Sequence, residues 1–222
     1  MKKRSLLRMT VWLVFLGSLG VLLYSVFQAV NAPLQAERAL QRWDKLQRET
    51  DAGVARAEEE TPLTADLAGK LRQTGGSGKA ATQTLAAEGD ILGEIAFPTL
   101  DQRYAIAEGT TSGPLKLGAG HYSGSPLPGE NGNSVLAGHR DTVFRSLGQL
   151  KAGDTIEIET VSGHFAYEVT ERQIVDEHDA DAVQSSTEPL LTLITCYPFT
   201  YVGPAPERLL ITAKLKEEAP GS

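Results

Sequence analysis

Between Met9 and Ala36 the chain carries no charged residue, and Val11 to Val30 is almost wholly apolar. A helix of that length rises about 30 Å, the thickness of a bilayer's hydrocarbon core. The segment is therefore expected to cross a membrane as a single helix over 9–30. Lys2, Lys3, Arg4 and Arg8 precede it with no acid among them. Clustered cations stay on the cytoplasmic side, so residues 1–8 are expected inside and everything after Val30 outside. A cleaved secretory leader is the competing reading, but its apolar core is normally about 7–15 residues long. The small-x-small site that could be forced at Val30-Asn31-Ala32 would also put Pro33 directly after the cut. Either reading places the rest of the chain outside the cytoplasm.

That remainder is soluble in character. Of the 222 residues, 41% are hydrophobic and 22% charged, which excludes a polytopic membrane protein and a disordered acidic chain. The net charge of -7 excludes broad binding to a phosphate backbone, so nucleic acid is not an expected partner. Residues 31–49 read as a juxtamembrane helix. Ala36, Leu40, Trp43 and Gln47 fall at helical intervals, and Asp44 and Arg48 form an i,i+4 pair. A solvated stalk is the expectation, with membrane-surface contact or a partner helix as the alternatives. Residues 50–88 turn to Ala, Glu, Thr and Gly and include Gly75-Gly76-Ser77-Gly78-Lys79, which reads as a flexible linker. No apolar strand leads into that glycine cluster and the pattern GxxxxGK[ST] is missing, so it is not a phosphate loop.

From Gly89 the texture changes. Short apolar runs recur at Ile91–Phe97, Tyr104–Glu108, Ser134–Gly138, Thr155–Thr160, His164–Val175, Leu190–Cys196 and Leu209–Leu215, separated by Gly, Pro and Asn. Several alternate with period two or are rich in Ile, Val and Thr, which predicts an all-β barrel or sandwich over 89–216 with a short tail at 217–222. From Gly89 onward there are 19 acids against 9 cations, so this domain is more acidic than the chain as a whole.

Cys196 is the lone cysteine, which rules out an internal disulfide framework and paired thiolates for zinc. In Leu190–Phe199 the alternation puts Leu191, Leu193 and Thr195 on one face and Thr192, Ile194 and Cys196 on the other. Pro198 has no N–H for a sheet ladder, so Cys196 is expected at a strand's end. Twelve residues later Arg208 opens the next apolar run. If the two strands are antiparallel neighbours, Cys196 and Arg208 lie side by side. Another short strand ends at Leu136-Ala137-Gly138, and His139 follows it. An exposed cysteine near a histidine and an arginine has the elements of nucleophilic and acid–base catalysis.

At this point the residues resemble a known family. The pattern Thr192-Leu193-Ile194-Thr195-Cys196, the arginine twelve residues on, Gly138-His139-Arg140, Gly120-His121-Tyr122 and the segment Leu127–Asn133 look, as an ordered set, like a sortase. The strings AGHRDTVFRSL and TCYPFTYVGPAPER are most similar to class D members. The resemblance implies a closed or nearly closed sortase-type β-barrel with short helices, on a single-pass membrane anchor. It implies a cysteine transpeptidase acting on a protein that carries a C-terminal LPxTG-like sorting signal, with an amine of a peptidoglycan precursor as acceptor. Carried over, Cys196 is the nucleophile, His139 the acid and then the base, and Arg208 a hydrogen-bond donor to substrate or oxyanion. The backbone N–H of Tyr197 and the side chain of Thr195 support that site, and His121 either orients substrate or holds a turn. No cofactor and no metal are implied.

Pilus-polymerising sortases carry a lid bearing Asp-Pro-aromatic and a second membrane segment; neither pattern is seen, which implies an enzyme that anchors proteins to the envelope. Blander roles exist for the same residues. Cys196 could be an inert buried thiol, His139 structural, and Arg208 a surface ion-pair residue. His164 reads as solvent-facing on its strand. Asp176, Glu177, His178, Asp179 and Asp181 could bind calcium but lack the EF-hand spacing and glycine, so a solvated loop is expected. An L,D-transpeptidase would show S-x-G-C around its cysteine, which Cys196 lacks. A thiol peptidase that mainly hydrolyses, or a non-catalytic scaffold, are the remaining classes.

Overall fold

The structure, a computed structural model, describes residues 2–59, 86–179, 181–200 and 203–216. The linker's 60–85 and the tail at 217–222 lie outside the described residues. Helix α1 spans Lys2–Glu59 and so continues past Thr50, where the linker was expected to begin. Among the described residues no helix is long and apolar enough to cross a membrane. Within the expected 9–30 span, side chains are described only at 12–25 and 27. Trp12, Phe15, Leu22, Leu23 and Phe27 there are apolar and exposed.

The expectation of a solvated stalk is corrected. Ala39 and Trp43, four residues apart on one helix face, are buried at 1% and 2% exposure, where α1 meets β1, β2 and the short helix α2, Pro114–Leu117. Asp44, on the same turn, reaches Arg103 at 3.3 Å, and Arg103 reaches Glu94 at 3.2 Å. Burial pushes the Glu94 carboxyl above its ordinary range, against the pull of the Arg103 guanidinium. The apolar spacing read from the sequence is thus real, and its partner is this chain's own barrel.

The domain is all-β, as expected. Strands β1 (Ile91–Phe97), β2 (Gln102–Glu108), β3 (Ala119–His121), β4 (Asn133–Ala137), β5 (Thr155–Thr160), β6 (Gly163–Asp176), β7 (Leu190–Tyr197) and β8 (Glu207–Leu215) form a closed barrel in the order β1-β2-β3-β4-β7-β8-β6-β5. Pairs β2–β3 and β4–β7 are parallel and the rest antiparallel. Seven strands coincide with the apolar runs. The exception is β3, three small or polar residues with no run to mark them; a Cβ at Gly120 would collide with the Gly109 carbonyl, so only glycine lets this strand lie so close.

Alternation then fills the barrel. Ile95 and Phe97, Ile106, Leu136, Ile156 and Ile158, Leu191 and Leu193, and Leu209, Ile211 and Ala213 point inward as one core. After β4 the chain turns back, and Val143, Phe144, Leu147 and Leu150 join that core. Phe144 sets its ring edge-on to Phe97 with centroids 6.2 Å apart. This plug anchors the segment that begins with Gly138 and His139.

Candidate active site

Strands β4, β7 and β8 lie side by side, and β7, β8 and the segment that follows β4 bring the three expected site residues, Cys196, Arg208 and His139, to the same end of the barrel. On β7 the odd-numbered Leu191 and Leu193 belong to the core, so Cys196 faces outward; it is a free, partly exposed thiol. On β8 the core takes Leu209 and Ile211, so Arg208 faces outward as well. The two are direct cross-strand partners, a relation that sets Cβ atoms about 4.5–5.5 Å apart. The side-by-side placement expected from the spacing of 196 and 208 is therefore observed.

His139 comes from the other side. Parallel β4 and β7 pair Ala137 with Ile194. The pairing runs on through Gly138 N–H to the Ile194 carbonyl at 3.1 Å. Two residues beyond the last register pair, His139 is level with Cys196. Gly138 must be glycine: a Cβ there would stand 2.5 Å from the Phe144 ring, while Phe144 N–H donates to the His139 carbonyl at 3.0 Å. The His139 side chain is exposed, with no hydrogen-bond partner among the described residues.

Thr195 is buried at 3% and donates its Oγ1 hydrogen bond to the Gly138 carbonyl at 2.7 Å. It therefore holds the residue before His139 and does not face the groove. Thr195→Val keeps the shape and leaves that carbonyl unpaired. It is expected to cost about 1–2 kcal/mol of stability in denaturant unfolding, with kcat falling more than KM rises. A threonine that touched only substrate would leave stability unchanged. Tyr197 packs its ring against the core and edge-on to Phe199, centroids 5.7 Å apart, so its side chain is turned away from the thiol.

His121 does not join the row. Its ring is 2% exposed and pairs through Nδ1 with Glu108 Oε2 at 2.7 Å, while Nε2 lies 3.1 Å from both the Pro126 carbonyl and Ser125 Oγ. It is the register partner of the core residue Leu136, so it shares the inward face. His164 is exposed beside Glu159 at 2.9 Å.

Two residues passed over in the sequence complete the neighbourhood. Arg140 donates to the carbonyls of Pro198, at 3.2 Å, and Gly203, at 2.7 Å. It thereby ties the histidine segment to the loop after Cys196; its place directly after His139 was the available signal. Glu177, read within a solvated acidic loop, accepts from Arg208 Nη2 at 2.9 Å. Arg208 is thus in an ion pair and also opposite the thiol. The neighbouring carboxylates turn inward on their own loop: Asp176 accepts from His178 N–H at 2.9 Å and Asp179 from Asp181 N–H at 3.1 Å. Among the described residues no cluster of three or more His, Cys, Asp or Glu could hold a metal ion.

Two clefts lie away from this row. One of about 920 Å³ is lined by Glu94, Glu157, Glu159 and His164, and one of about 460 Å³ by Arg42, Leu46 and Asp90. Neither contains a nucleophile, so chemistry, not volume, locates the site at Cys196.

Comparison with known proteins agrees with this geometry. A sortase-domain family model matches residues 95–216. Sortase D of Bacillus subtilis is 44% identical over 128 residues, covering 57% of this chain and 64% of that protein. Sortase A of Listeria monocytogenes is 32% identical over 110 residues, 48% of this chain and 49% of that protein. The chain thus spans less than two thirds of the length of either relative. Among solved structures, the Clostridium perfringens sortase D5 transpeptidase superposes with a TM-score of 0.54 at 32% identity, over 60% of this chain and 82% of that one. Clostridium perfringens sortase C, solved with the C-terminal cell wall sorting motif, superposes with a TM-score of 0.55 at 32% identity, over 60% and 75%. A closed barrel that sets Cys196 between Arg208 and the end of the histidine strand, and a family match over more than half of the residues, lead to one conclusion: the chain belongs to the sortase family.

Proposed function

We propose that the protein is a membrane-anchored cysteine transpeptidase, class D in character, that cleaves an LPxTG-like sorting signal after its threonine and joins the new carboxyl end to an amine of the cell envelope. The observation that carries this reading is the register of three adjacent strands, which sets Cys196 beside Arg208 and level with His139. The sortase C neighbour solved with a sorting motif supports the substrate class. The 44% identity to a sortase D supports the subclass.

The chemistry then runs in two halves. The Cys196 thiolate attacks the threonine carbonyl carbon. The oxyanion that develops takes hydrogen bonds from the Arg208 guanidinium and the Tyr197 N–H, where a fixed charge in a partly dehydrated site acts most strongly. Collapse breaks the C–N bond, the electron pair leaves with the amine, and His139 gives that amine its proton. The thioester remains on Cys196. An incoming amine, which a peptidoglycan precursor would supply, gives a proton to His139 and attacks the thioester, and the thiolate departs.

The exposed apolar side chains between Trp12 and Phe27, behind the cations of residues 1–8, support a single-pass anchor with the N-terminus in the cytoplasm and the barrel outside. Incubating the protein with a sorting-signal peptide, with and without a short amine, tests transfer. The expected outcome is a new amide product that grows with amine concentration. Cleavage that yields only the free acid at every amine concentration would replace transpeptidation by a thiol peptidase.

A further inference from the structure

Arg208 is held more firmly than a surface arginine needs to be. Its Nη1 donates to the Ala205 carbonyl at 3.0 Å and the Glu207 carbonyl at 2.9 Å, and its Nη2 donates to Glu177 Oε2 at 2.9 Å. Of the five N–H donors of a guanidinium, these bonds use both on Nη1 and one on Nη2. The Nε–H and the second Nη2–H remain, so a substrate need not displace Glu177 to reach the arginine. The carboxylate is placed for this by register. Val175 of β6 is the cross-strand partner of Arg208, and Glu177, two residues on, projects from the same face. Its own backbone N–H donates to the Pro206 carbonyl at 3.1 Å, so Glu177 holds both the loop before β8 and, through Arg208, the start of the strand. Its other oxygen lies 3.6 Å from His178 Nε2.

We propose that Glu177 is a positioning residue for the transfer reaction: it holds the Arg208 guanidinium so that its remaining donors meet the oxyanion formed at Cys196. The inference rests on the reading of Arg208 as the oxyanion's donor. It also links the arginine to the segment that borders the reactive face. Farther along, the Gln184 carbonyl accepts from Asn133 Nδ2 of β4, and Asn133 Oδ1 accepts from Thr192 Oγ1 of β7, each at 2.8 Å. An exposed ion pair is ordinarily worth little. This one is partly buried, at 26% and 33% side-chain exposure, and it orders a long side chain whose freedom would otherwise oppose each turnover.

The test uses the whole chain, a sorting-signal peptide with an amine acceptor, and the ¹⁵N order parameter of the Arg208 Nε–H group. Glu177→Ala is expected to lower that order parameter and to reduce kcat about tenfold, the scale of a small misplacement at a reacting centre, with KM nearly unchanged. Glu177→Gln keeps an oxygen acceptor without the charge and is expected to restore part of both. In an Arg208→Ala background Glu177→Ala should cause no further loss, because its effect passes through the arginine. Glu188→Ala breaks another ion pair of the same segment, with Lys214 at 3.3 Å, and should leave kcat as it was. An unchanged Arg208 order parameter in Glu177→Ala overturns the proposal whatever the peptide assay gives, and so does a lowered order parameter with an unchanged kcat. A wild-type protein that ignores the peptide overturns the substrate reading instead. The order parameter then still decides whether Glu177 holds Arg208.

Discussion

Cys196→Ala is expected to abolish both cleavage of a sorting-signal peptide and its transfer to an amine, by on the order of 10⁴-fold or more, the scale seen when a covalent nucleophile is removed. The protein should remain folded. Cys196 is partly exposed on the outward face of β7, so losing its sulfur opens no cavity in the core formed by Leu191 and Leu193. The unfolding midpoint should shift by what a surface substitution causes, within about 0.5 kcal/mol. Intact mass spectrometry after mixing with substrate should show the acyl adduct on wild type and none on the variant. Full processing by Cys196→Ala would remove the thioester from the mechanism.

His139→Ala should be nearly as damaging to turnover and should fail in a different way. General acid–base catalysis contributes about 10²–10⁴-fold, and in the proposed mechanism the same imidazole serves both halves. The exposed ring has no hydrogen-bond partner among the described residues, so its removal leaves the fold intact. An amide substrate needs its leaving amine protonated, whereas an activated ester does not. His139→Ala is therefore expected to form the thioester from an ester of the sorting sequence at close to the wild-type rate and then to stall, since nothing removes the proton of the attacking amine. Equal kcat for the variant and wild type on the peptide would sink the assignment. A stall at neither stage would show that His139 carries no proton, and a stall at both with the ester would show that it is also needed to make the Cys196 thiolate.

Much of this site is readable along the chain, because strand periodicity is local. The two-residue alternation in Leu190–Cys196 is enough to separate the core-facing leucines from the cysteine, and the structure keeps that division. The spacing of Cys196 and Arg208 gives their adjacency once a hairpin-like return is assumed, and the observed register supplies that return. Thr195 shows the limit. Alternation places it on the inward face, but only the fold shows that a carbonyl 57 positions away along the chain, that of Gly138, takes its hydroxyl.

Other features were unreadable for the same physical reason in reverse: they are made by partners distant in the chain. β3 has no apolar run, since three residues beside tightly approaching backbone need only be small. The helix after the apolar stretch has a clear buried face, but no local pattern says what covers it; only the fold brings β1, β2 and α2 against Ala39 and Trp43. The acidic run at 176–181 reads as solvated, and Asp176 and Asp179 do cap their own turns, yet Glu177 reaches Arg208 at 2.9 Å.

By itself the amino-acid sequence indicated seven of the eight strands and the facing of β7, and it marked Cys196, His139 and Arg208 as site candidates and a charge-free segment as an expected anchor. Each depends on periodicity, composition or ordered motifs within a few residues. Tertiary structure alone decided that β4, β7 and β8 are neighbours in one closed barrel, that His121 is spent on an internal pair with Glu108, and that Arg140 and Glu177 brace the two flanks of Cys196. Those outcomes depend on hydrogen bonds and ion pairs between segments tens of residues apart, which exist only once the barrel has closed and excluded water from its core.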